Sequence, residues 1–314
     1  MLPRGAGKTV YFATPALISG EITAVVVCPL LSLMLDQVNR LQAKGLNVCY
    51  INVEVPTAER DVLIHDLLLD NPPYNFIFLT PENATTSQMQ DIFSETEEKN
   101  TLKYIVIDEC HCIDMWGYNF SPTYANLGNL SKLKCPIVAM TGTCTARTEE
   151  VILKSLNLTD ATVVRKSCDR DHISLFVKII RFDGKDRVAA LILEECNSQC
   201  GIVCCLQRGD ATDMAYLLQT KGVNAPYYHG ALDPYKKKEN LQAWQEGRAT
   251  VMCATVAFGM GIDKPDVRFV IHLSMPKSLE CYAPKFGRAG RDGELSQCFV
   301  FFRFEDRTRH LQNV

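Results

Sequence analysis

The sequence lacks any apolar stretch long enough to cross a bilayer. Its longest candidate, Ile22 to Leu31, has Pro29 inside it and falls short of the roughly 18 residues a spanning helix requires, so no membrane segment is expected. The chain also lacks the charged-then-apolar opening of a secretory leader, because Met1-Leu2-Pro3-Arg4-Gly5 runs at once into a glycine-rich motif. An excess of basic charge is missing too. With 33 Lys and Arg against 36 Asp and Glu the formal net charge is -3, which excludes a global cationic field; nucleic-acid binding, if present, has to be local. No pair of Cys-x-x-Cys steps exists among the 14 cysteines, and Cys196/Cys200 has no partner step at ligand spacing. No zinc is therefore expected in this chain. The cysteines are scattered, several as close neighbours such as Cys110/Cys112 and Cys204/Cys205 inside apolar runs, where thiols behave as small hydrophobes. They are read as reduced, in a cytosolic or nuclear compartment.

What is present is a chain of 314 residues, 47% hydrophobic and 22% charged, enough for about two globular domains. Short β-rich apolar runs occur at Ala24 to Cys28, Val48 to Ile51, Phe76 to Leu79, Tyr104 to Ile107 and Ile137 to Met140. Helix-like stretches such as Leu31 to Ala43 and Ala58 to Leu69 separate them. Continuous apolar strands alternating with helices predict a parallel sheet covered on both faces. A polar stretch from about Lys166 to Asp186 follows, and the pattern restarts with strands at Ile202 to Leu206, Ala225 to Tyr228, Val251 to Ala254, Phe269 to Leu273 and Cys298 to Phe302. Between them, Asp213 to Thr220 reads as a helix closed by Gly222. The fold class is α/β, two tandem units, with domains expected over 1–164 and 165–314.

Gly5-Ala6-Gly7-Lys8-Thr9 opens a helical stretch. Glycines there let backbone N-H groups approach phosphate oxygens, the lysine reaches the β and γ phosphates, and the threonine hydroxyl can ligate Mg2+. About one hundred residues later, Ile105-Val106-Ile107-Asp108-Glu109-Cys110-His111 brings two adjacent carboxylates to the carboxyl end of a buried strand, where open α/β sheets bind ligands. Asp108 can hold Mg2+ and Glu109 can polarise an attacking water. Phosphoryl transfer needs metal clamping and water orientation together, and the two motifs supply both.

From these residues outward the chain resembles the RecQ helicases of superfamily two, and among them the Bloom-type branch. The resemblance runs through Leu2 to Thr9, Cys28-Pro29-Leu30-Leu31-Ser32-Leu33-Met34-Leu35-Asp36-Gln37-Val38, Leu79-Thr80-Pro81-Glu82, the Asp108-Glu109-Cys110-His111 box, Trp116-Gly117 and Met140-Thr141-Gly142-Thr143. It continues through the long stretch Ala254 to His272 and ends on Gly287-Arg288-Ala289-Gly290-Arg291-Asp292-Gly293. It implies two RecA-like domains, with parallel sheets flanked by helices, that hold ATP and Mg2+ between them. It further implies translocation 3′ to 5′ on single-stranded DNA, unwinding of fork and junction DNA in repair, recombination and replication, and a place in the nucleus. In that reading Arg288 and Arg291 are arginine fingers, Asp263 contacts the ribose, and His111, Thr141 and Thr143 couple nucleotide state to closure; taken by themselves, two basic residues three apart and flanked by glycines read as a mobile cationic loop. Trp116 and Phe120, with Tyr118 and Tyr124, form an aromatic element on which bases stack.

Three departures from the family pattern set further expectations. The sequence starts inside the phosphate loop, so the first unit is expected to lack the strand leading into that loop, leaving neighbouring backbone groups uncovered. Pro284 and Lys285 stand where the family usually has Gln and Glu; if Ser278 caps a helix, Pro284 falls in its interior. Tyr118, Asn119 and Ser121 replace the family's His, Asp and Arg. These departures favour an alternative, a catalytically weak or inactive RecQ-like nucleic-acid-binding fragment.

Overall fold

Short, mostly apolar runs of two to seven residues form the strands, and the amphipathic stretches between them form the helices that cover the sheets. The computed structural model describes residues 7–19, 23–114, 126–167, 169–181, 183–196, 198–255, 258 and 264–306. The chain divides into two units, Met1–Cys168 and Asp169–Val314.

In the first unit the order is α1 (Lys8–Ser19), β1 (Thr23–Val27), α2 (Leu31–Gln42), β2 (Val48–Ile51), α3 (Thr57–Leu67), β3 (Phe76–Leu79) and a short α4 (Pro81–Ala84). Then come α5 (Ser87–Glu98), β4 (Leu102–Ile107), a 3-10 turn (Leu127–Lys132), β5 (Ile137–Ala139) and α6 (Ala146–Ser155). The strands pair in parallel in the order β2-β3-β1-β4-β5. Alternate residues point to opposite faces: Val26, Phe78 and Val106 pack with Phe12, Met34 and Val38 on one side. Val25, Ile77, Ile105 and Ile107 pack with Leu67, Met89, Phe93 and Ile152 on the other. Both faces are thus covered, as the continuous apolar runs predict.

β5 is the outer strand of this sheet among the described residues. Pro136 O accepts from Ile105 N and Met140 N donates to Ile107 O, each at 2.9 Å. By the two-residue period of the ladder, Ile137 and Ala139 turn their backbone groups away from β4. There they face a cavity of about 780 Å³ lined by β5, by Asp160 to Val164, and by Lys8 and Tyr11.

The second unit runs β6 (Ile173–Ile179), α7 (Gly184–Glu195), β7 (Gly201–Cys204), α8 (Arg208–Thr220) and β8 (Tyr227–Tyr228). It continues with α9 (Pro234–Gln245), β9 (Val251–Ala254), β10 (Phe269–His272), α10 (Leu279–Phe286) and β11 (Ser296–Phe302). The sheet is parallel, in the order β6-β11-β10-β7-β9-β8. Strand β6 lies within the stretch read from sequence as a polar connection. It is an edge strand whose Leu175, Val177 and Ile179 stay exposed, so it carries none of the burial signature that marks the inner strands. Helix α8 also starts at Arg208, five residues before the expected Asp213.

Trp244 of α9 is fully buried. Its Nε1 donates to Gly201 O at 3.2 Å and its ring meets Phe258 edge-on at 5.4 Å. Gly201 is required at that point, because a Cβ would lie 2.1 Å from the Phe269 ring. Among the described residues every cysteine is a free thiol. No described helix is long and apolar enough to cross a membrane, and no described cluster of His, Cys, Asp and Glu could hold a metal by itself.

Candidate active site

The site forms where the start of α1 meets the carboxyl end of β4. Gly7 adopts φ +73, a left-handed conformation glycine takes at no steric cost, and α1 begins at the next residue, Lys8, with Thr9 in its first turn. Strand β4 ends at Ile107 and presents Asp108 and Glu109, both buried. Lys8 Nζ lies 3.2 Å from Glu109 Oε1 and 4.0 Å from Asp108 Oδ1. The two motifs, 101 residues apart, therefore meet as the sequence predicts.

Glu109 itself takes φ +48, a region that costs a non-glycine residue on the order of 1 to 3 kcal/mol. The turn is over-determined: Cys110 N donates to Met140 O and Cys112 N to Glu109 O, each at 2.9 Å. The strained backbone aims the Glu109 side chain between Lys8 and His111, whose Nδ1 lies 3.3 Å from Glu109 Oε2. That same Nδ1 is 2.9 Å from Thr141 Oγ1. Since Thr141 gives its one proton to Thr143 O at 2.8 Å, His111 has to be the donor to Thr141. The structure thus links Lys8, Glu109, His111, Thr141 and Thr143 in one chain of polar contacts.

Asp108 is held by two donors. Its Oδ1 accepts from Glu109 N at 2.9 Å and its Oδ2 from Gln37 Nε2 at 2.8 Å. Burial pushes the carboxyl above its ordinary range, opposed by the charge of Lys8, reinforced by that of Glu109, and opposed again by the Gln37 hydrogen bond. Gln37 is a site residue that motif reading did not single out. Its signal is positional: a polar residue on the face of α2 where Met34, Val38 and Leu41 are buried.

A raised carboxyl pKa means that the folded state binds its proton more tightly than the unfolded one, so this contribution to stability is present at low pH and is lost as pH rises through the folded value. Asp108→Asn keeps the bond from Glu109 N to its one oxygen, keeps the link to Gln37 by a turn of the Gln37 amide that lets Oε1 accept from the new NH2, and removes the desolvated charge. It is expected to stabilise the first unit by about 1 kcal/mol at neutral pH, with the gain shrinking towards acid pH. Thermal unfolding across pH checks this; a lower melting temperature for the variant at neutral pH would contradict it.

The second unit carries Arg288 and Arg291 on the connection between α10 and β11. Ser278 caps α10 by accepting from Cys281 N at 3.2 Å, and Pro284 lies inside the helix, as expected. The proline supplies no N-H to the Glu280 carbonyl, yet the helix continues, with Gly287 N donating to Ala283 O at 3.0 Å. Sequence reading treats the Gly-Arg-Ala-Gly-Arg segment as a mobile cationic loop; the structure corrects this. Ala289 is fully buried, Arg288 is 3% exposed, Gly290 N donates to Val267 O at 2.8 Å, and Asp292 pairs with Arg268. Gly5, Ala6, Asp263, Trp116, Tyr118, Phe120 and Tyr124 lie outside the described residues.

Comparison with known proteins places these elements in context. Residues 1–151 match the model of the DEAD/DEAH box helicases and residues 184–293 that of the helicase conserved C-terminal domain. The chain is 35% identical to ATP-dependent DNA helicase Q-like 4B of Arabidopsis thaliana, over 99% of this chain and 27% of that protein. It is 35% identical to ATP-dependent DNA helicase Q5 of Mus musculus (98% and 32%) and 35% identical to RecQ-like DNA helicase BLM of Xenopus laevis (98% and 23%). The chain therefore spans about a quarter to a third of these relatives. Among solved structures, the DUF1998 helicase MrfA bound to DNA superposes with a TM-score of 0.78 at 18% identity, covering 100% of this chain and 48% of that one. Dbp5 of S. cerevisiae bound to RNA and ADP BeF3 gives 0.75 at 17%, covering 99% and 80%.

Proposed function

Because the chain belongs to the RecQ family of DNA helicases, we propose that it is the motor core of an ATP-dependent DNA helicase, moving 3′ to 5′ on single-stranded DNA in the nucleus. The observation that carries this reading is the convergence of Lys8, Asp108, Glu109 and Gln37 at the start of α1, since a half-buried lysine facing two buried carboxylates suits a nucleoside triphosphate and its metal. Asp108 and the Thr9 hydroxyl are hard oxygen donors of the kind Mg2+ takes, and a carboxyl disfavoured by burial gains from a cation. These two residues would hold Mg2+, which when bound neutralises charge on the phosphates. Lys8 binds and orients the terminal phosphates. Glu109 orients the attacking water and takes its proton, with His111 fixing the carboxylate from behind. Arg288 and Arg291 supply guanidinium charge to the transferred phosphoryl group. Trp116 and Phe120 stack on bases.

Purified protein tested for ATP hydrolysis with and without single-stranded DNA decides the matter. DNA-stimulated turnover that Lys8→Ala lowers at least about 100-fold is the expected result, together with unwinding of 3′-tailed but not 5′-tailed duplexes. Pro284, inside the helix that leads into the arginine loop, favours a second reading, a nucleic-acid-binding relative with weak catalysis. DNA binding without turnover in the same assay would support that reading and sink the first.

A further inference from the structure

We infer that Arg170 is a positioning residue for the arginine pair, a clasp that fixes the backbone on either side of Arg288 and immediately before Arg291. Arg170 lies two residues beyond the division between the two units, at the entry to β6. Its fork spans two carbonyls of the loop: Nη1 donates to Gly287 O at 2.9 Å and Nη2 to Gly290 O at 2.5 Å. His172 reinforces it, with Nε2 2.9 Å from the same Gly290 O. The register brings these residues there, because Ile173 of β6 pairs with Ser296 of β11, directly after the loop, and Ser296 N donates to His172 O at 2.8 Å.

The clasp closes on a loop with little freedom to replace it. Gly290 takes φ +55, and a Cβ there would lie 2.7 Å from Glu294 O and 2.9 Å from the His172 ring. Burial first, and then the nearby charge of Arg291, weigh against the Arg170 cation. A cation kept in those surroundings is accounted for by the two carbonyls it bridges. A planar guanidinium offers two nitrogens in a fixed fork, one for each carbonyl; an ammonium gathers its three donors on one nitrogen at the end of a shorter, more flexible stem and does not hold the two in place. Small displacements of a charge that stabilises a transition state are costly in rate, about 100-fold for roughly 1 Å.

The rate part of this inference rests on the proposed ATP hydrolysis, so the experiment includes a measurement that needs no turnover. Arg170→Ala is expected to lower kcat about 10- to 100-fold with KM for ATP within about threefold. Added to the double variant Arg288→Ala/Arg291→Ala it should cause little further loss, because both fixed groups are already gone. Arg170→Lys should behave like Arg170→Ala. Hydrogen exchange of peptides spanning residues 287–293 should speed up in both variants while peptides of β10 keep their protection. Full activity in Arg170→Lys, losses that multiply with Arg288→Ala/Arg291→Ala, or unchanged exchange at 287–293 would each overturn the clasp, as would loss of protection spread evenly over the second unit. If the unmodified chain hydrolyses no ATP, the motor reading falls, while the exchange measurement still decides whether Arg170 fixes the loop.

Discussion

Glu109→Gln is expected to reduce ATP hydrolysis about 10²- to 10⁴-fold, the range for removing a general base, while nucleotide affinity changes by less than about tenfold. The amide is nearly isosteric and can still accept from Lys8 Nζ, which lies 3.2 Å from Oε1, so binding of the phosphates by Lys8 survives. It cannot take a proton from water, and it no longer offers His111 a charged partner. The split between turnover and binding is the informative part. A substitution that merely disturbed the strained turn at residue 109 would impair both together, because the same turn positions Asp108 beside Lys8. Steady-state hydrolysis paired with binding of a fluorescent nucleotide separates these outcomes. A variant retaining a tenth or more of the rate would remove Glu109 from the chemistry.

The second large effect concerns stability. His272, at the end of β10, is 2% exposed, its ring edge-on to Tyr282 at 5.0 Å and opposite Cys204 in the ladder. Burial, and then the charge of Lys285, push its pKa down from 6.5 to about 3. The imidazole is therefore neutral when folded and readily protonated when unfolded. Its contribution is fully present above about pH 6.5 and is lost as pH falls towards 3, at up to about 1.4 kcal/mol per pH unit. Between pH 6.5 and 4.5 the second unit should lose about 2 to 3 kcal/mol from this group alone. His272→Phe, which keeps an aromatic ring against Tyr282, should remove that part of the slope. An acid dependence identical in the variant would show that other groups carry it. The first unit has the opposite tendency at Asp108, so the two halves of the chain should respond differently to mild acid.

Much of the site was legible before any coordinates, for a physical reason: each motif is a contiguous backbone device. A glycine turn before a helix and a carboxylate pair after a buried strand bring their chemistry to the same edge of any parallel sheet, and Lys8 and Asp108 meet there. Contacts that depend on how separate elements pack were not legible. Gln37 reaches Asp108 from α2, and His111 reaches Thr141 from the next strand connection, through side-chain directions that spacing does not encode. Arg170 is a stronger case, since its partners Gly287 and Gly290 lie more than one hundred residues away. For the fold, inner strands such as β1, β3 and β10 read clearly because they are buried on both faces. β6 did not, because an exposed edge strand flanked by charged residues has no such signature. The arginine loop was misread as mobile because glycines and charges dominate its composition, while the groups that hold it come from the entry to β6 and from Val267.

Trp244 offers a practical consequence. The sequence has 2 tryptophans, and this one is sealed in the second unit between Gly201, Phe258 and the ammonium of Lys264. Its indole emission should shift to the red when the second sheet opens and should ignore events confined to the opposite half. Replacing Trp116 with phenylalanine would turn the chain into a single-tryptophan protein, in which indole emission alone reports when the half that carries the guanidinium pair comes apart.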